Sequence, residues 1–314
     1  GNPPHVMLNH VTGLDLYGGL TLETELDPQA EPFLRDHALN GTPILPGVMG
    51  IEGFSVAAQH IASVLGSGGE GFRVTALEDI RFLTALKFYR KAPRRIVWRA
   101  SVVREASGLV TRVTLESTRA LKSGREEHTL HFSGQVYLEP LPAQEAVSPT
   151  VRPPVWNGAA TVDAEDIYRL YFHGPAFRVL DGVQRVGDRV LGRLQTDLPP
   201  ATSQGQPLLS TPRLIELCFQ TAGIWEAGAT GILGLPASIE QLVLYEREVD
   251  GAPIYAEVNP TPGQDNRPRF DARVVDAQGH LYLELKGYRT SPFPGTVVKG
   301  KTKRTGMLVE GEGA

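Results

Sequence analysis

Two apolar stretches of the chain have the length and spacing of buried helices. The first covers 48–65 and follows a proline and a glycine, which suit a tight turn into a helix. The second runs from 211 to about 227, and its opening Thr211-Pro212 pair offers a good N-cap followed by a proline at the first helical position. The pattern predicts two long, mostly buried helices about half a chain apart.

Alternating apolar and polar residues predict antiparallel strands beside both helices. In the first half these strands cover 96–102, 109–117 and 128–138, with a turn at 120–125. In the second half they cover 181–196, 239–247, 254–259, 268–275 and 280–288. The chain thus repeats one plan, a helix wrapped by an antiparallel sheet, which is an α+β arrangement.

One segment has the composition of an internal linker. The stretch 141–155 is rich in proline and lacks periodicity. We therefore expect an N-terminal subdomain over 1–140 and a C-terminal subdomain over 156–296. The Gly-, Lys- and Glu-rich stretch 297–314 is expected to be a tail or linker, which is typical of a domain within a larger protein.

Composition and charge exclude several functional classes. The 314 residues are 41% hydrophobic and 21% charged, with a formal net charge of -4, so no overall basic field favours nucleic acid. The single cysteine, Cys218, excludes an internal disulfide and a zinc site made of several thiolates, which fits a cytoplasmic protein. The sequence has no run of about 20 apolar residues that would cross a membrane.

The segment from His37 to Gly47 carries the first candidate chemistry. His37 precedes a turn that Pro46 makes rigid. Gly41 and Gly47 in the same segment allow the backbone to approach a ligand closely. Amide N–H groups at the start of the following helix can polarise a thioester carbonyl, and a histidine can then remove the neighbouring proton. The alternative is a surface histidine beside an ordinary helix-entry loop.

Glu216 is the second candidate. It lies near the start of the second helix among apolar neighbours, and burial there would raise the pKa of its carboxyl, making it a proton donor. Gln220, four residues further on, shares its face and can orient it. The alternative is a solvated glutamate stabilised by the helix dipole.

Three motifs together resemble the dehydratase domains of polyketide and fatty acid synthases. His37, Gly41 and Pro46 match the HxxxGxxxxP motif of that family, residues 211–220 (TPRLIELCFQ) look like its HPxLLDxxxQ helix, and residues 171–177 (YFHGPAF) are similar to its YGPxF segment. The resemblance covers nearly the whole chain in the family's order. It implies a double hotdog fold, with His37 as the catalytic base and Glu216 as the catalytic acid.

The resemblance also shows departures from the family pattern. Glu216 stands where the family has Asp, Thr211 replaces His, and His173 replaces Tyr. His173 could contact the substrate hydroxyl or could be a structural loop residue. The residues of these motifs look closer to those in the dehydratases of iterative polyunsaturated fatty acid and enediyne-type synthases than to those of modular synthases. The substrate-binding residues that we expect are Gly41, Pro46, Gly47, His173 and Gln220.

Two further residues need a separate interpretation. Single-hotdog dehydratases carry a catalytic glutamate at the helix position of Glu52, so Glu52 is an alternative acid. By analogy with those enzymes, His37 should work with Glu216 and leave Glu52 at a degenerate second site. Cys218 is expected to be a small core residue and not a nucleophile.

The resemblance implies the substrate and the partners. The substrate would be a β-hydroxyacyl thioester on the phosphopantetheine arm of an acyl carrier protein, and no metal, nicotinamide or other cofactor is expected. Neighbouring synthase domains and a second copy in a homodimer are the other expected partners. The basic run 87–95 is either a solvated loop or a contact for the carrier protein. Alternatives on the same fold are double-bond isomerisation, product-template-like cyclisation, thioester hydrolysis and a catalytically silent structural module.

Overall fold

The computed structural model describes residues 5–15, 19–65, 71–106, 108–120, 124–141, 149–245, 251–263, 267–297 and 303–310. The chain forms two compact units. The first comprises Gly1–Glu145 and Pro200–Pro212, and the second comprises Ala146–Pro199 and Arg213–Ala314. Among the described residues, no helix has both the length and the apolar character needed to span a membrane.

The first unit is a long helix packed on an antiparallel sheet. Its helices are α1 (Pro32–Arg35) and α2 (Gly47–Leu65), and a short hairpin joins β3 (Ala38–Leu39) to β4 (Thr42–Pro43). The main sheet has the order β1-β2-β6-β7-β8-β5, made of His10–Leu14, Gly19–Leu26, Arg94–Glu105, Gly108–Ala120, Glu126–Pro140 and Phe72–Phe82. Helix α2 packs against β5, β6, β7 and β8, which is the hotdog arrangement.

The second unit repeats this plan. Its helices are α3 (Ala164–Leu170), α4 (Pro212–Thr230) and α5 (Lys303–Glu310). Its strands, numbered along the chain from β9 to β15, are Val162–Asp163, Leu180–Val186, Arg189–Leu194, Ile232–Leu244, Ile254–Pro262, Pro268–Asp276 and Leu281–Val297. They are ordered β12-β15-β14-β13-β11-β10-β9. The α+β double hotdog prediction is confirmed.

The sequence pattern and the structure differ at several elements. The single strand predicted over 181–196 is wrong, because a turn with Gly187 at φ 62° divides it into β10 and β11. The amphipathic pattern did not indicate β1, β2, β5 or α3. Within the stretch 297–314, α5 is a helix in which Leu308 is buried. Residues 142–148 of the predicted linker lie outside the described residues. On either side of them, Leu141 N–H donates to the Gly71 carbonyl of the first unit at 2.8 Å, and Val151 N–H donates to the Gly279 carbonyl of the second unit at 2.7 Å.

Two carboxylates hold the segment Pro200–Pro212 in the first unit. Glu31 accepts hydrogen bonds from Ser203 N–H at 3.1 Å and from the Ser203 hydroxyl at 2.6 Å, and Glu52 holds residues 209 and 210. The sequence alone assigns this segment to the C-terminal half, because nothing in its composition signals these distant partners.

Glycines let α2 approach the aromatic residues of its sheet. A methyl group added at Gly53 would lie 2.2 Å from Trp98 Cη2, and one added at Gly50 would lie 2.5 Å from the Phe132 ring. Trp98 is fully buried and packs edge-on against Phe54. Helix α2 can therefore pack this closely on the sheet because its residues at positions 50 and 53 have no side chain.

The Gly53→Ala variant is expected to be strongly destabilised, although alanine is the better helix former. Overpacking against Trp98 should outweigh the propensity gain of about 1 kcal/mol and lower the free energy of unfolding by about 3 kcal/mol. Urea denaturation measures the difference. Gly306→Ala in α5 is the matched control, because none of the described atoms lies within 4 Å of its added methyl group. Equal unfolding free energies for the two variants would contradict this packing.

Candidate active site

His37 lies at the base of a tight hairpin that leads into α2. Strands β3 and β4 are joined by Asn40 and Gly41, whose φ angles are 50° and 78°. Two positive φ angles in a two-residue loop match the right-handed twist of a hairpin, and Asn-Gly is the preferred pair for them. His37 is buried, with 8% of its surface exposed. The conformation of the turn residues therefore determines the position of the His37 side chain.

The imidazole of His37 is hydrogen-bonded to the backbone directly after β4. Its Nδ1 lies 2.8 Å from the carbonyl oxygen of Ile44, and Ile44 N–H donates to the His37 carbonyl at 2.9 Å. A carbonyl oxygen only accepts hydrogen bonds, so Nδ1 carries the proton of the neutral ring. The basic lone pair of the neutral imidazole is then on Nε2.

The three other predicted residues of this motif have different local roles. Gly41 supplies the positive φ angle of the turn. Pro46 accepts hydrogen bonds through its carbonyl from Met49 N–H at 3.0 Å and Gly50 N–H at 3.1 Å, which begins α2. A methyl group on Gly47 would lie 2.9 Å from Phe82 Cε1, so this glycine is required for packing. A contact of these residues with substrate stays a prediction.

Glu52 is completely buried and holds the segment Pro200–Pro212. Oε1 accepts Leu209 N–H at 2.8 Å, and Oε2 accepts Ser210 N–H at 2.8 Å and the Ser210 hydroxyl at 2.6 Å. His5 Nε2 lies 3.0 Å from Oε1. Both oxygens of this buried carboxyl group therefore accept hydrogen bonds, as buried polar atoms require. The geometry gives Glu52 a structural role as an anchor.

Helix α4, which carries Glu216, does not begin with the predicted cap. Thr211 has φ 49°, a left-handed conformation that is costly for a β-branched residue, whereas an N-cap residue is normally extended. Within the described part of the chain, its hydroxyl has no hydrogen-bond partner. The N-cap prediction for Thr211 is therefore wrong. The strain is located directly before the helix that bears the candidate acid.

Glu216 is buried in the second unit, with 5% of its surface exposed. Its Oε1 accepts a hydrogen bond from Gln220 Nε2 at 2.8 Å and lies 3.2 Å from His173 Nε2. The prediction that Glu216 is buried is confirmed, and so is the hydrogen bond from Gln220. The bond from Gln220 therefore fixes the orientation of the carboxyl group through Oε1.

Gln220 is itself oriented by a tyrosine that the sequence motifs do not include. Tyr168 OH donates to Gln220 Oε1 at 2.9 Å and accepts Leu180 N–H at 2.7 Å, while Gln220 Nε2 also donates to the Phe177 carbonyl at 2.8 Å. Burial raises the pKa of Tyr168, so its hydroxyl stays a donor. The amide of Gln220 can thus face Glu216 only with its NH₂ group.

His173 approaches Glu216 from the loop after α3. It is buried, with 6% exposed, and its ring stacks on Phe172 with centroids 4.5 Å apart and meets Tyr171 edge-on at 5.1 Å. Its carbonyl accepts from Arg178 Nε at 3.0 Å. The structure therefore brings three predicted residues together in this unit, namely Glu216, Gln220 and His173.

Cys218 lies between Glu216 and Gln220 along α4 but is fully buried in the core. Burial raises the pKa of its thiol, which keeps it protonated and poorly nucleophilic. Within the described ranges, no three histidine, cysteine, aspartate or glutamate side chains are grouped to bind a metal ion.

Comparison with known families identifies both units. A model described as polyketide synthase dehydratase domain matches residues 5–117, and a model described as polyketide synthase dehydratase N-terminal domain matches residues 146–299. The chain belongs to the polyketide synthase dehydratase family. The two matches together cover most of its length.

Relatives of this dehydratase-family domain are much longer proteins. The pikromycin polyketide synthase component PikAII of Streptomyces venezuelae is 25% identical over 230 residues, which is 71% of this chain and 6% of that protein. A polyunsaturated fatty acid synthase protein of Thraustochytrium is 21% identical over 276 residues, which is 85% of this chain and 9% of that protein. The chain thus spans a small part of each relative. A special closeness to the polyunsaturated fatty acid or enediyne type stays a prediction.

Solved structures of dehydratase domains share the fold. The dehydratase domain from the CurF module of curacin polyketide synthase has a TM-score of 0.67 at 18% identity and covers 92% of this chain and 99% of its own. The pyran synthase domain from module nine of the sorangicin pathway has a TM-score of 0.68 at 20% identity, with coverages of 93% and 100%. At this identity the likeness concerns the fold of the dehydratase-family domain.

Sequence reasoning missed Tyr168 as part of the site. The residue lies on α3, three positions before the segment 171–177 that matches a family motif. The available signal was the aromatic residue on a short helix that Asp163 caps through a hydrogen bond to Asp166 N–H. A helix capped in this way directs one face at its neighbours, but only the fold shows that Gln220 is there.

Proposed function

We propose that this domain removes water from a β-hydroxyacyl thioester, with His37 as base and Glu216 as acid. The observation that carries the proposal is the bond between His37 Nδ1 and the Ile44 carbonyl, in a chain whose two units match dehydratase models. This bond gives the neutral imidazole one defined basic nitrogen. A dehydratase needs such a nitrogen to take the α-proton.

The base step begins with His37 in its neutral form. Nε2 removes the proton from the carbon next to the thioester carbonyl, and the resulting imidazolium keeps its Nδ1–H bond to Ile44. The carbonyl acceptor therefore stabilises the charged ring that forms. The same bond prevents the ring from rotating during the transfer.

The carbonyl of the substrate requires donors for the charge that develops on it. Pro46 O already receives the amides of Met49 and Gly50, so the amides of Gly47 and Val48 at the start of α2 are suited to bind the thioester oxygen. The positive end of the helix dipole adds to their effect.

The acid step uses Glu216. Its carboxyl proton passes to the β-hydroxyl, which leaves as water, while Oε1 remains held by Gln220. The carboxylate that forms is stabilised by the same Gln220 N–H group and by His173 Nε2 at 3.2 Å. After one turnover His37 has gained a proton and Glu216 has lost one. Proton exchange with solvent returns both groups to their starting states.

The substrate is proposed to arrive on the phosphopantetheine arm of an acyl carrier protein. The relatives are large synthases of which this chain matches a small part, which supports neighbouring synthase domains as partners. A homodimer and a cytoplasmic location fit the same context. No metal or nicotinamide enters this proposed reaction.

Product analysis tests the proposal against its rivals. The domain is incubated with a β-hydroxyacyl thioester of N-acetylcysteamine, and the product is identified by mass spectrometry and NMR. Dehydration gives loss of one water and an α,β-double bond. An isomerase acts only on a chain that already has a double bond, so it returns this substrate unchanged, as a silent module does. Hydrolysis releases the free thiol, and cyclisation gives a ring in place of the α,β-double bond. Any of these last outcomes would contradict the proposal.

Tyr168→Phe is expected to lower kcat on the order of tenfold. The change removes a hydrogen bond of about 1 kcal/mol that orients the Gln220 amide, and Gln220 in turn positions the acid Glu216. The Gln220 amide can then turn its oxygen toward Glu216. Tyr245→Phe is the matched control, since it removes a hydroxyl bonded to Glu284 elsewhere in the same unit. Steady-state kinetics measure both variants, and equal kcat values would show that Tyr168 does not act through Gln220.

A further inference from the structure

Three polar side chains on neighbouring strands of the first unit bond to one another. The Ser117 hydroxyl on β7 lies 2.7 Å from His131 Nε2 on β8, and Arg94 Nη2 on β6 donates to the same hydroxyl at 2.7 Å. Ser117 and His131 are almost completely buried. Burying a polar group costs free energy unless the group is hydrogen-bonded. A buried network such as this one therefore restricts the positions of the segments that it joins.

The hydrogen-bond directions in this network are fixed by a carbonyl. His131 Nδ1 lies 2.9 Å from the Thr84 carbonyl, so Nδ1 carries the proton and Nε2 accepts from the Ser117 hydroxyl. Burial lowers the pKa of His131, which agrees with a neutral ring. Ser117 is too deeply buried to meet an external substrate as a nucleophile. The network therefore acts on the protein itself.

Both ends of the network hold the loop between β5 and β6. At one end, His131 binds Thr84 through the ring and also accepts Leu83 N–H at 2.8 Å and Thr84 N–H at 3.1 Å through its carbonyl. At the other end, Arg94 Nη1 donates to the Lys87 carbonyl at 2.9 Å. The loop is thus fixed on both sides of residues 85 and 86.

The same loop pairs with the backbone that follows the hairpin. Leu45 N–H donates to the Leu86 carbonyl at 3.0 Å, and Phe88 N–H donates to the Pro43 carbonyl at 2.9 Å. Between these two bonds, Ile44 and Lys87 form a β-bridge. The backbone around Ile44 is therefore hydrogen-bonded to the loop between β5 and β6.

We infer that Arg94, Ser117 and His131 are positioning residues for His37. Ile44 is the acceptor of His37 Nδ1, so the network fixes the loop, the loop fixes Ile44, and the Ile44 carbonyl fixes the tautomer and orientation of the imidazole. This inference rests on the proposed role of His37 as the base. It assigns a catalytic consequence to three residues that do not contact the substrate.

The tautomer of His37 provides a test that does not need activity. In protein labelled with ¹⁵N-histidine, the ring nitrogen shifts report which nitrogen carries the proton, and the His37→Gln spectrum assigns the signal. Ser117→Val and Ser117→Thr have the same shape and differ only in the hydroxyl. We expect wild type and Ser117→Thr to show one Nδ1–H tautomer and Ser117→Val to show a mixture with Nε2–H. A pure Nδ1–H form in Ser117→Val would overturn the inference.

Kinetics give the second readout. Ser117→Val should lower kcat about tenfold with KM nearly unchanged, because a misaligned base slows the chemical step, and Ser117→Thr should restore it. Ser55→Ala is the control, since the bond of this buried hydroxyl to the Ile51 carbonyl stays within α2. An unchanged kcat in Ser117→Val also contradicts the inference. If Ser117→Val does not fold, Arg94→Met breaks the network at its half-exposed end and takes its place in both experiments.

The two proposals fail separately. A domain that does not dehydrate any substrate but shows the tautomer change would refute the proposed function and leave the positioning network intact. A domain that dehydrates normally but keeps the Nδ1–H tautomer in Ser117→Val would refute only the network.

Discussion

The His37→Ala variant is expected to lose dehydration by about 10³-fold, because no other group replaces a positioned general base. The change removes Nε2, which takes the α-proton, and it also removes the Nδ1–H bond to the Ile44 carbonyl. The Michaelis constant should change little, because the thioester is proposed to be held by backbone amides. Initial rates with the N-acetylcysteamine thioester measure the effect.

This result must be separated from unfolding. His37 is buried, so circular dichroism and the thermal midpoint are recorded for the same preparation. His10→Ala, at an exposed position on β1, is the matched histidine control and should keep full activity. A folded His37→Ala protein with wild-type rates would remove His37 from the mechanism.

Glu216→Gln is expected to reduce dehydration as strongly as the loss of the base, by about 10³-fold, because an amide has no acidic proton for the leaving hydroxyl. Glutamine keeps the length of the side chain and can still accept from Gln220 through its oxygen. The fold should therefore survive the change. A wild-type rate in Glu216→Gln would show that another group is the acid.

Glu216→Asp tests the geometry of the acid. The family has aspartate here, but in this chain Oε1 lies 2.8 Å from Gln220 Nε2 and 3.2 Å from His173 Nε2. Removing one methylene withdraws the carboxyl from both partners by more than 1 Å, and displacements of about 1 Å can cost about 100-fold in rate. We expect a loss of about that size. Full activity in Glu216→Asp would mean that these two contacts do not position the acid.

Much of the fold follows from local pattern. The two apolar stretches predicted α2 and α4 to within a few residues, since a helix buried on most sides gives a long apolar run. The strands β6, β7 and β8 followed from alternation of apolar and polar residues for the same reason. The division of 181–196 into two strands depended on one turn at Gly187, where the alternating pattern on both sides is continuous.

Long-range pairing could not be predicted. Glu52 and Glu31 hold residues more than 150 positions away, and neither partner segment has a motif. Thr211 looked like an N-cap because its residue type and the following proline suit one, but its backbone is left-handed. Such local conflict with propensity is found most often near functional sites.

The site was predictable in part for a related reason. Glu216 and Gln220 lie four residues apart on one helix, so their hydrogen bond follows from helix geometry. Tyr168 and the network of Arg94, Ser117 and His131 reach the site only through tertiary contacts. His37 was suggested by its glycine- and proline-bounded turn, but its tautomer depends on a carbonyl seven residues away.

Mass spectrometry of carrier-bound β-hydroxyacyl chains tests the central claim most directly. Chains of several lengths are loaded on an acyl carrier protein and incubated with wild type, His37→Ala and Glu216→Gln. We expect loss of one water from at least one chain length with wild type and from none with either variant at matched time. Unchanged chains with wild type at every length, or equal water loss in all three proteins, would contradict the account.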